Sequence, residues 1–162
     1  MVVRSLHAKK KLEFLIALLT ICCPTSLGLG LNMHALIIWN VGQGQWVTVR
    51  NATHCIHIDM GGEYADWKKI QQTCSASANI LLLTHGDWDH INFMLQAQQL
   101  LPHFCLFNQP RETLSRHKKK FLKRVKKCKD FSLPQEVKEL STNHYRIKNA
   151  NDASRVYLIQ NK

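Results

Sequence analysis

Acidic residues are scarce in this sequence. Asp and Glu number 11 against 22 Lys and Arg, a formal net charge of +11, which favours acidic partners over basic ones. No two cysteines stand in a C-x-x-C pair, which argues against a zinc knuckle. Internal repeats and low-complexity tracts are absent. No apolar run reaches the ~18 residues expected of a membrane-spanning helix. No sequence-reading nucleic-acid module is present, so any binding to nucleic acid would be nonspecific. What remains is a 162-residue chain, 45% apolar, long enough for one domain with a packed core.

The first thirty residues have an organisation of their own. "MVVRSLHAKKKLE" is basic, "FLIALLTICC" is apolar, and "PTSLGLG" is small and turn-prone. That order is the layout of a secretory signal peptide. Residues 1–31 are therefore expected to direct export, to a periplasmic or extracellular destination. The alternatives are an uncleaved membrane anchor over residues 14–31 or a buried N-terminal helix. The remaining chain, 32–162, keeps 18 basic and 10 acidic residues, net +8, so the basicity belongs mostly to the body. It also keeps Cys55, Cys74, Cys105 and Cys128, which allow two disulfides in three pairings if the chain is exported, or else four small buried thiols.

Local pattern divides the body into short elements. "ALIIWNV", "WVTVR" and "HCIHID" read as antiparallel strands separated by "GQGQ" and "RNAT". "EYADWKKIQQTC", with Tyr64, Trp67 and Ile70 three residues apart, reads as a helix. "NILLLT" is a buried strand by its solid apolar run. "INFMLQAQQLL" reads as a helix with Phe93, Met94, Ala97, Leu100 and Leu101 on one face. "HFCLFN" follows as a strand. "NQPRETLSRHKKKFLKRVKKCK" reads as a long helix with Pro110 in its first turn and Leu114, Phe121, Val125 and Cys128 as its apolar stripe. "DFSLPQEVKEL" is expected to be loop and short helix, and "HYRI" and "RVYLIQ" to be final strands. Helices and strands in this order indicate an α/β or α+β domain.

The chemistry concentrates in "THGDWDH". His85, Asp87, Asp89 and His90 follow the buried strand directly. Both residue types ligate metals in their deprotonated forms, and a tight turn lets such side chains diverge in pairs toward two ions. Capping of the following helix by Asp87 or Asp89 is the simpler reading. It accounts for one aspartate and leaves the histidines without a role.

"THGDWDH" resembles the H-x-[HD]-x-D-H signature of the metallo-β-lactamase superfamily. "IIWNVGQGQWVTV", "HIDMGG" and "NDASRVYLI" resemble the V-G-Q-G, I-D-x-G-G and N-x-x-S motifs of the C-terminal hydrolase domain of ComEC-type competence proteins. The four motifs occur in the family's order over residues 36–160. The resemblance implies an α+β fold, a four-layer αββα sandwich, of which the N-terminal half to two-thirds would be present. It implies one or two divalent metal ions, zinc or manganese, the Asp87 carboxylate tilting preference toward harder cations. His85 and Asp87 would bind one ion, Asp89 and His90 the second, with Asp89 beside the attacking water. Asp59 would support the loop, and Gly42, Gly44, Gly61 and Gly62 would serve tight turns. The implied reaction is hydrolysis of a phosphodiester, DNA above all, by metal-bound hydroxide; another ester, such as a lactam or thioester, is the alternative substrate. The family's later G-D and H-H-G-S motifs are not found, "DHIN" replaces D-H-I-G-G, and "VGQGQ" lacks the family's following Asp. A truncated domain, or one completed by a partner chain, is therefore expected. His103, His117 and His144 are weak substitutes for the missing ligands. Of the strand histidines His54 and His57, the latter lies nearer Asp59.

A second feature is the run 111–129, with ten Lys or Arg and one acid, Glu112. Arg116, Lys118, Lys119, Lys120, Lys123, Arg124, Lys126 and Lys127 could neutralise phosphates of DNA or an anionic membrane surface; the alternatives are a solvated helix face and a catalytically incomplete remnant that only binds. Phe121 lies on the apolar stripe and is expected in the core, so few rings are left to stack on bases. Asn51-Ala-Thr53 matches a glycosylation sequon, meaningful only in a eukaryotic secretory route.

Overall fold

A computed structural model describes residues 35–134, 137–140 and 154–160 of the chain. The N-terminal segment 1–31, the "HYRI" segment, His144 and Asp152 lie outside the described residues.

The strand runs form as their patterns require. β1 (Ala35–Ile38), β2 (Val47–Arg50) and β3 (His54–Ile58) pair antiparallel in that order. After β3 the chain crosses over through α1 (Trp67–Cys74) and returns as β4 (Ala78–Leu82), parallel to β3. β5, only Cys105–Leu106, pairs parallel on the far side of β4. The result is a five-stranded mixed sheet in the order β1-β2-β3-β4-β5, in an α+β chain.

Alternation of side chains across the strands separates two cores. Trp46, Cys55, Leu81 and Leu83 face the helices, joined by Ile70, Ile91, Met94, Ala97 and Leu122. Val49, Ile56, Ile58 and Leu82 face the other way and pack on Val137, Tyr157 and Ile159. Those last three come from a second, two-stranded antiparallel sheet, β6 (Val137–Leu140) and β7 (Val156–Ile159). Helices therefore cover one face of the main sheet and a second sheet covers the other.

Several helix expectations need correction. α1 begins at Trp67 instead of Glu63, because the Asp66 side chain accepts a hydrogen bond from Lys69 N (3.1 Å) and so caps the helix there. Tyr64 is exposed in the preceding loop. The helix expected from Ile91 is two: α2 (Trp88–Ile91) and α3 (Met94–Leu100). Asn92 and Phe93 break it by bonding outward, Phe93 N to Met60 O at 3.1 Å and Asn92 to Gly62.

The basic run is not one helix. Only α4 (Arg116–Leu122) is helical, capped by Ser115, which accepts from Lys118 N (3.3 Å), and Pro110 lies outside it. Like charges at i and i+4, such as Arg116 with Lys120 and Lys119 with Lys123, weaken a longer helix. Beyond it the chain runs beside β5: Leu106 N donates to Lys126 O (2.8 Å) and Cys128 N to Leu106 O (3.0 Å). "VKEL" is β6 and not loop or helix; its alternation lets Val137 and Glu139 face Ile159 and Tyr157 of β7.

The four cysteines form the pairs Cys55–Cys74 and Cys105–Cys128. The first ties β3 to the end of α1, the second ties β5 to the extended basic segment. No helix among the described residues is long and apolar enough to cross a membrane.

Candidate functional site

The site lies beyond the C-terminal ends of the parallel strands β3 and β4, where open α/β sheets form their ligand crevices. β3 delivers Asp59, which adopts φ 54, in the left-handed region that Asp tolerates better than most residues. β4 delivers Thr84 and the motif itself.

Asp59 is fully buried and accepts three hydrogen bonds. Thr84 N donates to Oδ1 at 2.8 Å, Thr84 Oγ1 to Oδ2 at 2.6 Å, and His90 Nδ1 to Oδ2 at 2.9 Å. Because the Thr84 hydroxyl proton is spent on Asp59, its oxygen accepts from His85 Nδ1 at 3.0 Å. One carboxylate thus fixes both imidazoles, His90 directly and His85 through Thr84. Each keeps its proton on Nδ1 when neutral and presents the Nε2 lone pair, the arrangement in which metal-binding histidines are oriented.

The two rings lie 3.9 Å apart between centroids. His85 Nε2 is 3.5 Å from Asp87 Oδ2, and His90 Nε2 is 3.6 Å from Asp89 Oδ2. The imidazoles form the floor, 9% and 12% exposed, and the carboxylates form the rim, 44% and 54% exposed. The four residues thus stand as two His–Asp pairs. Among the described residues no three His, Cys, Asp or Glu side chains converge on one point. Burial alone would lower the His90 pKa, but the Asp59 hydrogen bond and the charges of Asp59, Asp89 and Asp87 outweigh it, and the pKa is raised.

Asp87 occupies the N-cap position of α2 yet makes no side-chain capping bond. Its Oδ1 instead accepts from Lys118 Nζ at 2.7 Å, and that bond, with the lysine's charge, holds the Asp87 pKa below the usual carboxylate range although partial burial opposes it. The helix-cap reading therefore fails for both aspartates' side chains: Asp89 lies inside the first turn.

Three loops are knitted together around these side chains. Met60 N donates to His90 O (2.7 Å), Gln45 N to Asp89 O (3.1 Å) and Gly61 N to Gln45 O (3.2 Å). Gly42, at φ 70, takes a left-handed conformation in the bend between β1 and β2. Gly61 does not: a Cβ there would strike the backbone of Asp89 and His90, so its role is close approach. A Cβ at Gly44 would strike the backbone of Gly61 and Gly62, and one at Gly62 would strike Val41, and both glycines adopt positive φ, 158 and 151. Asn92, at the departure from D-H-I-G-G, donates through Nδ2 to Gly62 O (2.7 Å) and accepts at Oδ1 from Gly62 N (3.0 Å). β7 is docked on the same loop, with Arg155 N donating to Thr84 O at 2.8 Å.

The other candidates fall elsewhere. His57 is sealed in the helix-side core, bonded to Thr48 Oγ1 (2.8 Å), Trp46 Nε1 (3.1 Å) and Asn79 Oδ1 (3.0 Å), and burial lowers its pKa to about 4. His54 packs on Phe131, and His103 is an exposed turn residue at φ 50. His117, on α4, lies edge-on to Trp88 at 5.5 Å. Phe121 is half-buried and not wholly in the core; it also meets Trp88, at 5.2 Å. Of the basic residues, Lys118 is committed to Asp87, while Arg116, Lys119, Lys120, Lys123, Arg124, Lys126 and Lys127 are exposed. Glu112, the one acid of the run, accepts from Gly86 N. Four participants were not evident from the sequence: Thr84, Asn92, Trp88 and Lys118 in its bond to Asp87. Only Thr84, adjoining His85, carried a local signal; the others are tied to partners about 30 residues away.

Comparison with known proteins adds no relative: no family model, no curated protein and no solved structure matches the chain.

Proposed function

We propose that this chain is a metal-dependent hydrolase of the metallo-β-lactamase type, similar to the ComEC-type domains, and that its substrate is a phosphodiester. The observation that carries the reading is the buried Asp59 carboxylate, which sets both imidazoles with Nε2 outward. Metal-ligating histidines almost always donate their other ring N–H to a carboxylate, a backbone carbonyl or water. The layering agrees with the sandwich expected: helices, a mixed sheet, then a second sheet whose outer face leaves Leu140, Val156 and Leu158 exposed to receive a further layer, from this chain or a partner.

In this reading His85 and Asp87 would hold one divalent ion, zinc or manganese, and Asp89 and His90 would hold a second. Such ions supply Lewis acidity toward a phosphoryl oxygen and an activated water. Asp59 and Thr84 keep the imidazoles in register. Asp89, exposed at the rim, would lie beside the attacking water and take its proton. Lys118, now bonded to Asp87 at 2.7 Å, would give up that carboxylate to a bound cation, and its ammonium would then be free for substrate phosphate. The two disulfides support export to an oxidising compartment, with residues 1–31 as signal or anchor.

Calorimetric titration with Mn2+ and Zn2+, paired with a phosphodiester cleavage assay, tests the reading. Binding and cleavage lost in both His85→Ala and Asp89→Ala support it. A protein that takes up neither ion refutes it. A second reading has a specific observation behind it: Lys118 sits on Asp87 and no three donors converge among the described residues. A non-catalytic remnant would then bind DNA or an anionic surface through its basic segment, and a salt titration of DNA binding with and without the Lys118–Lys120 charges decides it.

A further inference from the structure

Beside the motif, a cleft of about 270 Å³ is lined by His117, Lys120, Phe121 and Arg124. These positions follow one side of α4 and the turn after it. Trp88, which stands between Asp87 and Asp89, meets the same side edge-on, at 81° to His117 and 77° to Phe121. It is 41% exposed, whereas Trp39 and Trp46 are buried and Trp67 is half-buried. Lys120 and Arg124 are exposed and have no carboxylate partner among the described residues. The cleft thus joins aromatic surface to two cations without a carboxylate partner among the described residues, and Trp88, which packs on the lining rings of His117 and Phe121, adjoins the candidate ligands Asp87 and Asp89.

We infer that this cleft seats a base of a single-stranded nucleic acid, with Trp88 and His117 offering ring surface to the base and Lys120 and Arg124 bonding the flanking phosphates. Stacking platforms set in a basic groove are how proteins hold single strands without reading sequence. The volume falls below the ~300–1,000 Å³ of pockets that enclose whole drug-sized ligands, so it suits one ring system of a longer chain. A duplex buries its base faces in its own stack and would leave the rings without a partner. A membrane surface would be met by protruding apolar side chains, not by a concavity. Lys118, on the same helix, reaches Asp87, so a strand anchored here brings a neighbouring phosphate to the His–Asp pairs. The inference deepens the hydrolase reading by naming single strands as the substrate class, but the binding itself needs no metal.

The test uses the full chain in EDTA, so that binding is measured apart from cleavage. Tryptophan quenching and anisotropy are followed with a short oligothymidylate, an abasic strand of equal length, a duplex of equal charge, and phosphatidylserine vesicles. The oligothymidylate should quench Trp88 and bind roughly tenfold more tightly than the abasic strand. Trp88→Ala should abolish that advantage and Trp88→Phe should keep most of it, which separates stacking from misfolding. Lys120→Gln with Arg124→Gln should reduce the salt slope by about 1.4, near 0.7 per phosphate contact. Equal affinity for thymidylate and abasic strands overturns the inference, as does tighter binding of the duplex or binding to vesicles alone. Metal uptake and cleavage without base-dependent binding defeat this inference only; base-dependent binding without metal uptake defeats the hydrolase reading only.

Discussion

Replacing Asp59 by Asn probes the central device of the site at almost constant shape. The native carboxylate takes Thr84 N, Thr84 Oγ1 and His90 Nδ1 as donors. An Asn amide can still accept from Thr84 N through its oxygen, but it turns an NH2 toward the other two. His90 must then accept at Nδ1 and carry its proton on Nε2. Thr84 Oγ1 accepts from the new amide, which frees its own proton for His85 Nδ1, so the second imidazole inverts as well. Both Nε2 lone pairs disappear from the crevice. Loss of an orienting partner typically weakens metal affinity 10–100-fold; with both histidines affected, the upper end of about 100-fold is expected. Stability should fall by about 1–3 kcal/mol, because bonds to an ionised carboxylate become weaker bonds between neutral groups. Asp59→Ala, which strands three donors, should cost about 3–5 kcal/mol. Nitrogen NMR of the histidine rings at alkaline pH reads the tautomers directly, and calorimetry with Zn2+ reads the affinity. Identical tautomers and affinity in wild type and Asp59→Asn would refute the reasoning, whatever happened to stability.

Other perturbations have equally definite outcomes. Lys118→Met removes the ammonium now seated on Asp87 and should strengthen divalent binding severalfold, matching the ~0.2–1 kcal/mol of a partly exposed pair; unchanged or weaker affinity in calorimetry contradicts it. His57, held neutral at a pKa of about 4, binds a proton in the unfolded chain near pH 6.5, so stability is full above that value and declines as pH falls toward 4. The decline attributable to it is about 3 kcal/mol, read as the difference in acid sensitivity between wild type and His57→Gln in urea unfolding, so that the opposite contribution of His90 cancels. Identical acid sensitivity of the two proteins would exclude the assignment. Removing Cys55–Cys74, which closes 19 residues of sequence, by paired Ala substitutions should lower stability by about 3 kcal/mol in the same assay.

Strands β1 to β4 were legible because each is a short run whose side chains alternate or lie wholly inside, and neither pattern depends on distant partners. The metal-type motif was legible for a different reason: four chemically costly residues lie within six positions. What failed was the extent of elements whose ends are decided by contacts far along the chain. The 111–129 run has helical spacing throughout, but Cys105 and the β5 backbone draw Lys126 to Cys128 out of the helix. "VKEL" becomes a strand only because β7, about twenty residues on, pairs with it. Phe93 looked like part of a continuous apolar face, yet its amide bonds Met60 in another loop. The site shows the same division, since the four candidate side chains of the motif were visible and their organisers Thr84, Asn92 and Lys118 were not.

The reach of the Asp59 bonds also governs how the site comes into being during folding. Its partners lie 25 and 31 residues away, across the whole β3–α1–β4 crossover. That loop must close, at an entropic cost paid before the contact is made, before either imidazole acquires its orientation. A peptide carrying only "THGDWDH" would own all four candidate side chains and none of the alignment. Any capture of a cation by the aligned pair would therefore come late in folding, after the crossover has closed.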